Sequence, residues 1–456
     1  LTAFRPEDIE GIRLRLEELA EAGKLEEAGD LLEELHPSDV ADLVEALDSE
    51  DDRVAVVRVL SAELASETLA EMDEEEDPGD LLAALDPKQG AELLHELEVD
   101  DAVDLIGELE PRERAKILAA LPLEEAGEIR GLLRYDEESA GGLMNTLLVR
   151  VQADLTAGQA IAEVRRQGRE VEDFYTVFVV DENHHLLGTV PLDDLILADP
   201  LLPVSELVEP VIASVPPSED QEEVGRLMSR YNLVSIPVVD PFGALLGRIT
   251  FDDVLDVMEA EQTEDILRFV GTSDEEELRG TWSETVRTRL PWLALNLLTA
   301  TIAASVVWLF LDTVESFAIL AALAPIIAAL GGNAGTQALA VTVRRLSLAG
   351  EGEIGHSPYV AVGKELLVGM VNGAVLGAII ALLSMLLPDG DPKLGLVVLL
   401  AMWGNLIVAG FAGSFVPTFL NRLGVDPAVA SSVFVHAFTD LIGFFLLLGL
   451  ATAVLL

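Results

Sequence analysis

The chain has 456 residues, no cysteine, and 81 Asp and Glu against 28 Lys and Arg, for a formal net charge of −53. Lack of cysteine excludes a disulfide framework and a thiolate metal site, and such acidity argues against nucleic acid or anionic lipid as partners of the polar part. The charge is divided unevenly: residues 1–280 carry 71 acidic and 21 basic side chains, and residues 281–456 carry 10 and 7, so a soluble acidic region long enough for two domains precedes an apolar one.

The opening stretch, "LTAFRPEDIEGIRLRLEELAEAG", is acidic and amphipathic rather than an apolar signal peptide; the missing initiator Met suggests a trimmed terminus. Residues 1–135 predict an all-α, superhelical N-domain, because apolar residues recur at 3–4 spacing between Pro and Gly breaks. A weak repeat pairs "LHPSDVADLVEAL" (35–47) with "LDPKQGAELLHEL" (85–97), the pattern of stacked helical hairpins.

A sharper repeat follows. "FVVDENHHLLGTVPLDDLI" (178–196) and "PVVDPFGALLGRITFDDVL" (237–255) share V-V-D, L-L-G and D-D at an offset of 59. Each unit reads as strand, turn, strand and a helix that the Asp pair opens as N-cap and N1. Two such α+β units, 136–200 and 201–260, resemble a tandem pair of CBS modules. CBS modules can bind adenine nucleotides, but no basic cluster here assigns one.

Residues 261–290 predict a helical connector. Five spans then follow near 292–311, 317–343, 360–387, 395–420 and 428–454, each long enough to cross a bilayer core of ~30 Å. Arg287, Arg289, Arg344, Arg345, Lys364 and Arg422 flank alternate joints, while Asp312, Glu315, Asp389 and Asp391 flank the others. The positive-inside rule then puts the N-terminal domains in the cytoplasm and the C-terminus outside the cell membrane.

The last span, "FVHAFTDLIGFFLLLGL" (434–450), carries one carboxylate, Asp440, with His436 four residues before it. An ionisable group at that depth is costly and is by default a functional candidate. The second span holds "LAPIIAALGGNAGTQALAVTVRR", in which Pro325 removes a helical hydrogen bond and Gly331, Gly332 and Gly335 loosen the backbone. Freed carbonyls, Asn333 and Thr336 offer hard oxygen ligands and Asp440 supplies charge. That set suits Mg or Ca and not soft metals. The alternative is close helix packing at the glycines and a protonated or locally bonded Asp440.

These residues resemble a known family. "GGNAGTQALAVTVR", "NRLGVDPAVAS", "FTDLIGF", "ESAGGLM" (138–144), "ADPLLPVSELV" and "DDVLDVMEAEQTEDI" (252–266) are similar to segments of the MgtE family of magnesium channels, in the family's order over nearly the whole chain. The resemblance implies a homodimer in the bilayer, a connecting plug helix, and a Mg²⁺ pore on the two-fold axis between the second and fifth spans. Asp440, Asn333, Gly331, Gly332, Thr336, Ser432 and His436 would lie along it. Relatives can carry a second Asn at the position of Thr336, Asn-Pro at Ser432–Val433 and a small residue at His436, so selectivity over Mn²⁺, Co²⁺ or Ca²⁺ rests on the family alone. His436 reads as a pore-lining pH sensor or as a side chain packed on a neighbouring span.

The same resemblance implies cytosolic Mg²⁺ sensing through Asp100 and Asp104, through Asp220 and Glu222, and through Asp253, Asp256, Glu261, Glu264 and Asp265. Ser229 and Asn232 stand where relatives can have Ala and Asp. The competing readings of the acidity are a solvated surface and residence in high salt, to which the low Lys count (5 of 28 basic residues) points. An enzyme is not expected: no HExxH, P-loop or phosphorylatable D-K-T motif occurs. A CBS-regulated secondary transporter, or a channel for Mn, Co or Ca, is the alternative function.

Overall fold

The computed structural model describes the chain except residues 1–5, 48, 74–75, 170, 172–173, 271–281, 350–357, 387–390 and 424–431. Asp389 and most of the "NRLGVDPAVAS" segment therefore lie outside the described residues, as does the middle of the expected connector. The chain divides into two compact units, Leu1–Met258 and Glu259–Leu456.

The first unit opens with helix Pro6–Glu21 and continues as two rows of short helices. Helices Pro37–Glu45, Ala62–Ala70, Pro87–Glu96 and Pro111–Leu118 stack in one row, and Glu50–Val57, Pro78–Ala83, Val99–Gly107 and Leu123–Leu132 in the other. One buried leucine precedes each helix of the first row: Leu35, Leu60, Leu85 and Leu109. Burying such a side chain stabilises by about 1.5–3 kcal/mol. Caps repeat with them: Asp86 accepts from the Lys88 amide at 3.0 Å and Ser61 from that of Leu64 at 3.4 Å, and Pro stands at the helix start in three of the four. The structural period is thus one hairpin. The 50-residue sequence repeat spans two hairpins.

Strand Arg150–Gln152 pairs in parallel with Thr176–Val180, which pairs antiparallel with Leu186–Pro191. In the second module Ser235–Val239 pairs antiparallel with Leu245–Thr250, and a parallel bridge from Val215 to Val238 stands for the third strand. The turns are equivalent. His184 (φ 64) and Gly243 (φ 89) fall 59 residues apart, both left-handed, and their carbonyls accept from Leu245 and Leu186 of the opposite module at 3.0 and 2.9 Å. This exchange docks the modules pseudo-symmetrically.

One sequence expectation needs correction. The Asp pairs are not the N-cap and N1 residues: Pro191 stands at the N-cap position of Leu192–Leu197, leaving Asp193 and Asp194 in its first turn, and helix Phe251–Val270 likewise has Asp252 and Asp253 inside its first turn. The reason is that Leu192 and Phe251 already follow directly on the strand ends, so each helix starts two residues earlier.

The second unit contains five helices long and apolar enough to cross a membrane: Thr285–Leu309, Ile319–Leu346, Val360–Met385, Pro392–Arg422 and Ser432–Leu455. The fourth is central, packed against the second, third and fifth, while the first packs on the fifth. Gly369, Gly373 and Gly377 bring the third helix onto the backbone of the fourth near Leu406, Trp403 and Leu399, the small-residue packing that replaces a hydrophobic drive in lipid. A short helix, Leu311–Ser316, joins the first two spans and is tied to the fifth by Thr313 and Thr452, whose hydroxyls lie 2.7 Å apart.

Candidate functional site

The second membrane helix runs unbroken from Ile319 to Ala349 with Pro325 inside it. The expected irregular backbone, and the carbonyls it would free at the glycines, are not present. The helix continues through Pro325 and loses only the one bond that proline cannot donate. The glycines act by close approach instead. A Cβ on Gly331 would overlap the Asn405 amide, one on Gly332 would lie 2.5 Å from Cδ2 and 2.7 Å from Nε2 of His436, and one on Gly335 would strike Val435.

Asn405 was not foreseen. It is fully buried on the fourth helix, wedged between Gly331 and Gly443, and its Nδ2 donates to the Ile327 carbonyl at 3.0 Å. Its Oδ1 and the Thr336 hydroxyl are buried without a hydrogen-bond partner among the described residues. Such atoms are costly unless water or an ion reaches them. A lone Asn in an apolar run gives no sequence signal for this joint.

On the fifth helix, Asp440 is half-buried and stands within electrostatic reach of His436, one turn before it. The His436 Nδ1 lies 2.7 Å from the Ser432 carbonyl, so Nδ1 carries the proton and donates. On the second helix, Asn333 and Gln337 are exposed one turn apart. Both sit in the middle of an apolar helix, where a polar side chain faces a wet cavity or another protein surface rather than lipid. Gln337, which had not been singled out from the sequence, shares this face with Asn333, whereas the Thr336 hydroxyl is buried.

In the first unit the acidic residues divide. Asp100 is buried on helix Val99–Gly107, and its Oδ1 accepts from Asn145 Nδ2 at 3.0 Å. That same amide also donates to Glu98. Asn145 is itself fully buried, and its backbone pairs with that of Arg248 on the second α+β module. Burial, and then Asp101, Asp253 and Glu98, push the Asp100 carboxyl well above its usual range. Burial with the nearby Asp253 and Glu98 raises Asp101 to about 7, and burial raises Asp253 too. The helical N-domain and the second α+β module therefore meet at carboxylates that repel when ionised. Asn145, Glu98 and Asp101 belong to this site without having been singled out from the sequence; the link between them is tertiary.

The other predicted sensing residues are placed less tightly. Asp104 is half-buried on the Asp100 helix, four residues on. Asp220 caps helix Gln221–Tyr231, accepting from the Glu222 amide at 2.9 Å, and both are exposed. Asp253 also serves its own helix, accepting from the Thr250 amide at 3.1 Å and from its hydroxyl. Asp256 is exposed on the same helix, in the first unit. Glu261, Glu264 and Asp265, on its second half, are half-buried, and Glu264 pairs with Arg268. Among the described residues of one chain, no three His, Asp or Glu side chains converge to hold a metal ion. Farther along this helix, in the second unit, Phe269 packs on Leu339, Val343 and Val435 of the second and fifth spans.

Comparison with known proteins places these features together. Residues 17–138 match the MgtE intracellular N domain, 140–200 and 204–260 the CBS domain, and 324–450 the MgtE divalent cation transporter domain. The chain is 34% identical over 454 residues to the magnesium transporter MgtE of Thermus thermophilus, covering 98% of this chain and 99% of that one. It is 36% identical to the magnesium transporter MgtE of Enterococcus faecalis over 69% of this chain and 68% of the relative. Among solved structures, the soluble part of a magnesium transporter aligns with a TM-score of 0.50 at 33% identity, covering 56% of this chain and 99% of that one. The cytosolic domain of the Mg²⁺ channel MgtE in complex with ATP aligns with a TM-score of 0.50 at 35% identity, covering 54% and 99%.

Proposed function

We propose, from the premise that the chain belongs to the MgtE family of divalent cation transporters, that it is a Mg²⁺-selective channel closed by Mg²⁺ on its acidic soluble half. The observation that carries this reading is the polar face at bilayer depth. Asn333 and Gln337 are exposed on the second helix, and half-buried Asp440 follows His436 on the fifth. Two copies meeting across these helices would enclose the face and bring one Asp440 from each chain to a shared axis, which is why the functional unit is read as a homodimer. Mg²⁺ sheds water reluctantly, so carboxylates and side-chain amides can hold it through its hydration shell.

The distribution of Arg and Lys around the spans supports a cytoplasmic N-terminal half and an outer C-terminus in the cell membrane. On that side, cytosolic Mg²⁺ would bind between the repelling carboxylates of Asp100, Asp101 and Asp253, with Asp104, Asp220, Glu222, Asp256, Glu261, Glu264 and Asp265 as further ligands. Binding would favour the compact state. A related cytosolic domain was solved with ATP, and we extend nucleotide binding to this CBS pair as a secondary reading that ATP titration of the full chain would test.

Uptake of Mg²⁺, Mn²⁺, Co²⁺ and Ca²⁺, each alone, into proteoliposomes tests the main reading. Mg²⁺ flux driven by voltage without proton coupling is expected. Flux that requires a proton gradient would make the protein a carrier.

A further inference from the structure

We infer that His436 and Asp440 form a capture site for a transition-metal ion of the zinc class, in addition to the all-oxygen path for Mg²⁺. Three observations carry it. His436 Nδ1 donates to the Ser432 carbonyl at 2.7 Å, which leaves Nε2 with the lone pair. A backbone carbonyl holding the distal ring nitrogen in this way is the usual support behind a metal-ligating imidazole. Nε2 has no hydrogen-bond partner among the described residues, and Asp440 stands one turn on, within electrostatic reach. A histidine and a second ligand four apart on a helix share one face, the spacing by which helices hold zinc. Gly332 seats the ring, since a Cβ there would lie 2.5 Å from Cδ2 and 2.7 Å from Nε2.

The chemistry separates the two ions. Imidazole nitrogen is a good ligand for Zn²⁺, Ni²⁺ or Co²⁺ and a poor one for Mg²⁺, which keeps its water. One chain supplies two ligands, and water or a second copy's pair completes the four that zinc prefers. Capture stands on the His436 geometry alone. Its consequence, block of Mg²⁺ passage by bound Zn²⁺, rests on the pore reading above.

The test uses the full chain in detergent, titrated with Zn²⁺ in millimolar Mg²⁺ so that carboxylate-only sites are occupied. Wild type should show a Zn²⁺ site that His436→Ala weakens by at least about tenfold. His436→Cys, the sole thiol in a chain without cysteine, should restore capture and turn it toward Cd²⁺, which also shows that the position tolerates substitution. Equal Zn²⁺ affinity in wild type and His436→Ala overturns the proposal, as does a Cys variant that gains no Cd²⁺ site. In liposomes, Zn²⁺ sensitivity is scored against each variant's own uninhibited Mg²⁺ flux and should fall with His436→Ala. Liposomes that pass no Mg²⁺ while capture persists would refute the channel reading and leave the site standing.

Discussion

The side-chain amide of Asn405 donates to the carbonyl of Ile327 at 3.0 Å, joining the fourth membrane helix to the second inside an apolar domain. It does so because Gly331 and Gly443 leave room on either side; a Cβ on Gly443 would lie 2.9 Å from Asn405 Nδ2. The joint sets where the second helix, with Asn333 and Gln337, stands against the fifth, with Asp440.

Replacing Asn405 by Ala should therefore lower thermal stability in detergent by about 0.6–2 kcal/mol, the range of interhelical hydrogen bonds in membranes. Gly331→Ala should cost more, since its methyl would overlap the amide. An unchanged melting temperature in both variants would mean that the contact has no structural role.

What the sequence reveals here depends on whether a feature is written locally. The five spans are legible because apolar length alone defines them, and the CBS pair because duplication repeats its turn, with His184 answering Gly243. The N-domain hairpins are legible only at double their period: Ala62 stands where Pro37 and Pro87 stand in the matching copies, hiding the intermediate one. Pro325 and the glycines of the second span misled, since signals that break helices in water survive inside them in an apolar setting. Asn405 and Asn145 are legible in neither way. Their partners, Ile327 and Asp100, lie 78 and 45 residues away.

The raised carboxyls predict a pH dependence. An unfolded Asp titrates near 3.9, whereas Asp101 is held at about 7, with Asp100 and Asp253 also raised. The folded state thus keeps protons that the unfolded state has lost. Without divalent ions, stability should fall as pH rises from about 4 to 7 and level off above that window. Mg²⁺ binding requires the ionised form and should release protons at about pH 6 but not at about pH 8.5. Equal release at both values, followed with a pH indicator, would remove these carboxyls from the site.

Site-bound ions and diffuse screening can be told apart. At ~1 M salt the Debye length is ~3 Å, so KCl should relieve general repulsion among the 71 acidic residues before position 281 without bridging specific pairs. Mg²⁺ should protect residues 253–270 from protease even in molar KCl, and joint Asn substitution of Asp100, Asp104, Asp253 and Asp256 should abolish that protection. Equal protection by KCl alone would make the acidity a halophilic surface.

Phe269 is where the connecting helix touches the second and fifth spans, through Leu339, Val343 and Val435. Phe269→Ala should leave Mg²⁺ binding to the soluble half intact. It should raise the Mg²⁺ needed for half-closure roughly tenfold, if about half of the burial free energy of a Phe is lost. Closure at the wild-type concentration would place the coupling elsewhere.

The central claim is that Asp440 carries its charge into a Mg²⁺ path, and current through reconstituted bilayers tests it most directly. With Mg²⁺ as the sole permeant cation and low Mg²⁺ on the side of the soluble domains, wild type should pass voltage-driven current. Asp440→Asn, which keeps the shape and removes the charge, should abolish nearly all of it while its elution on size exclusion stays that of wild type. Wild-type Mg²⁺ current in Asp440→Asn would contradict the account.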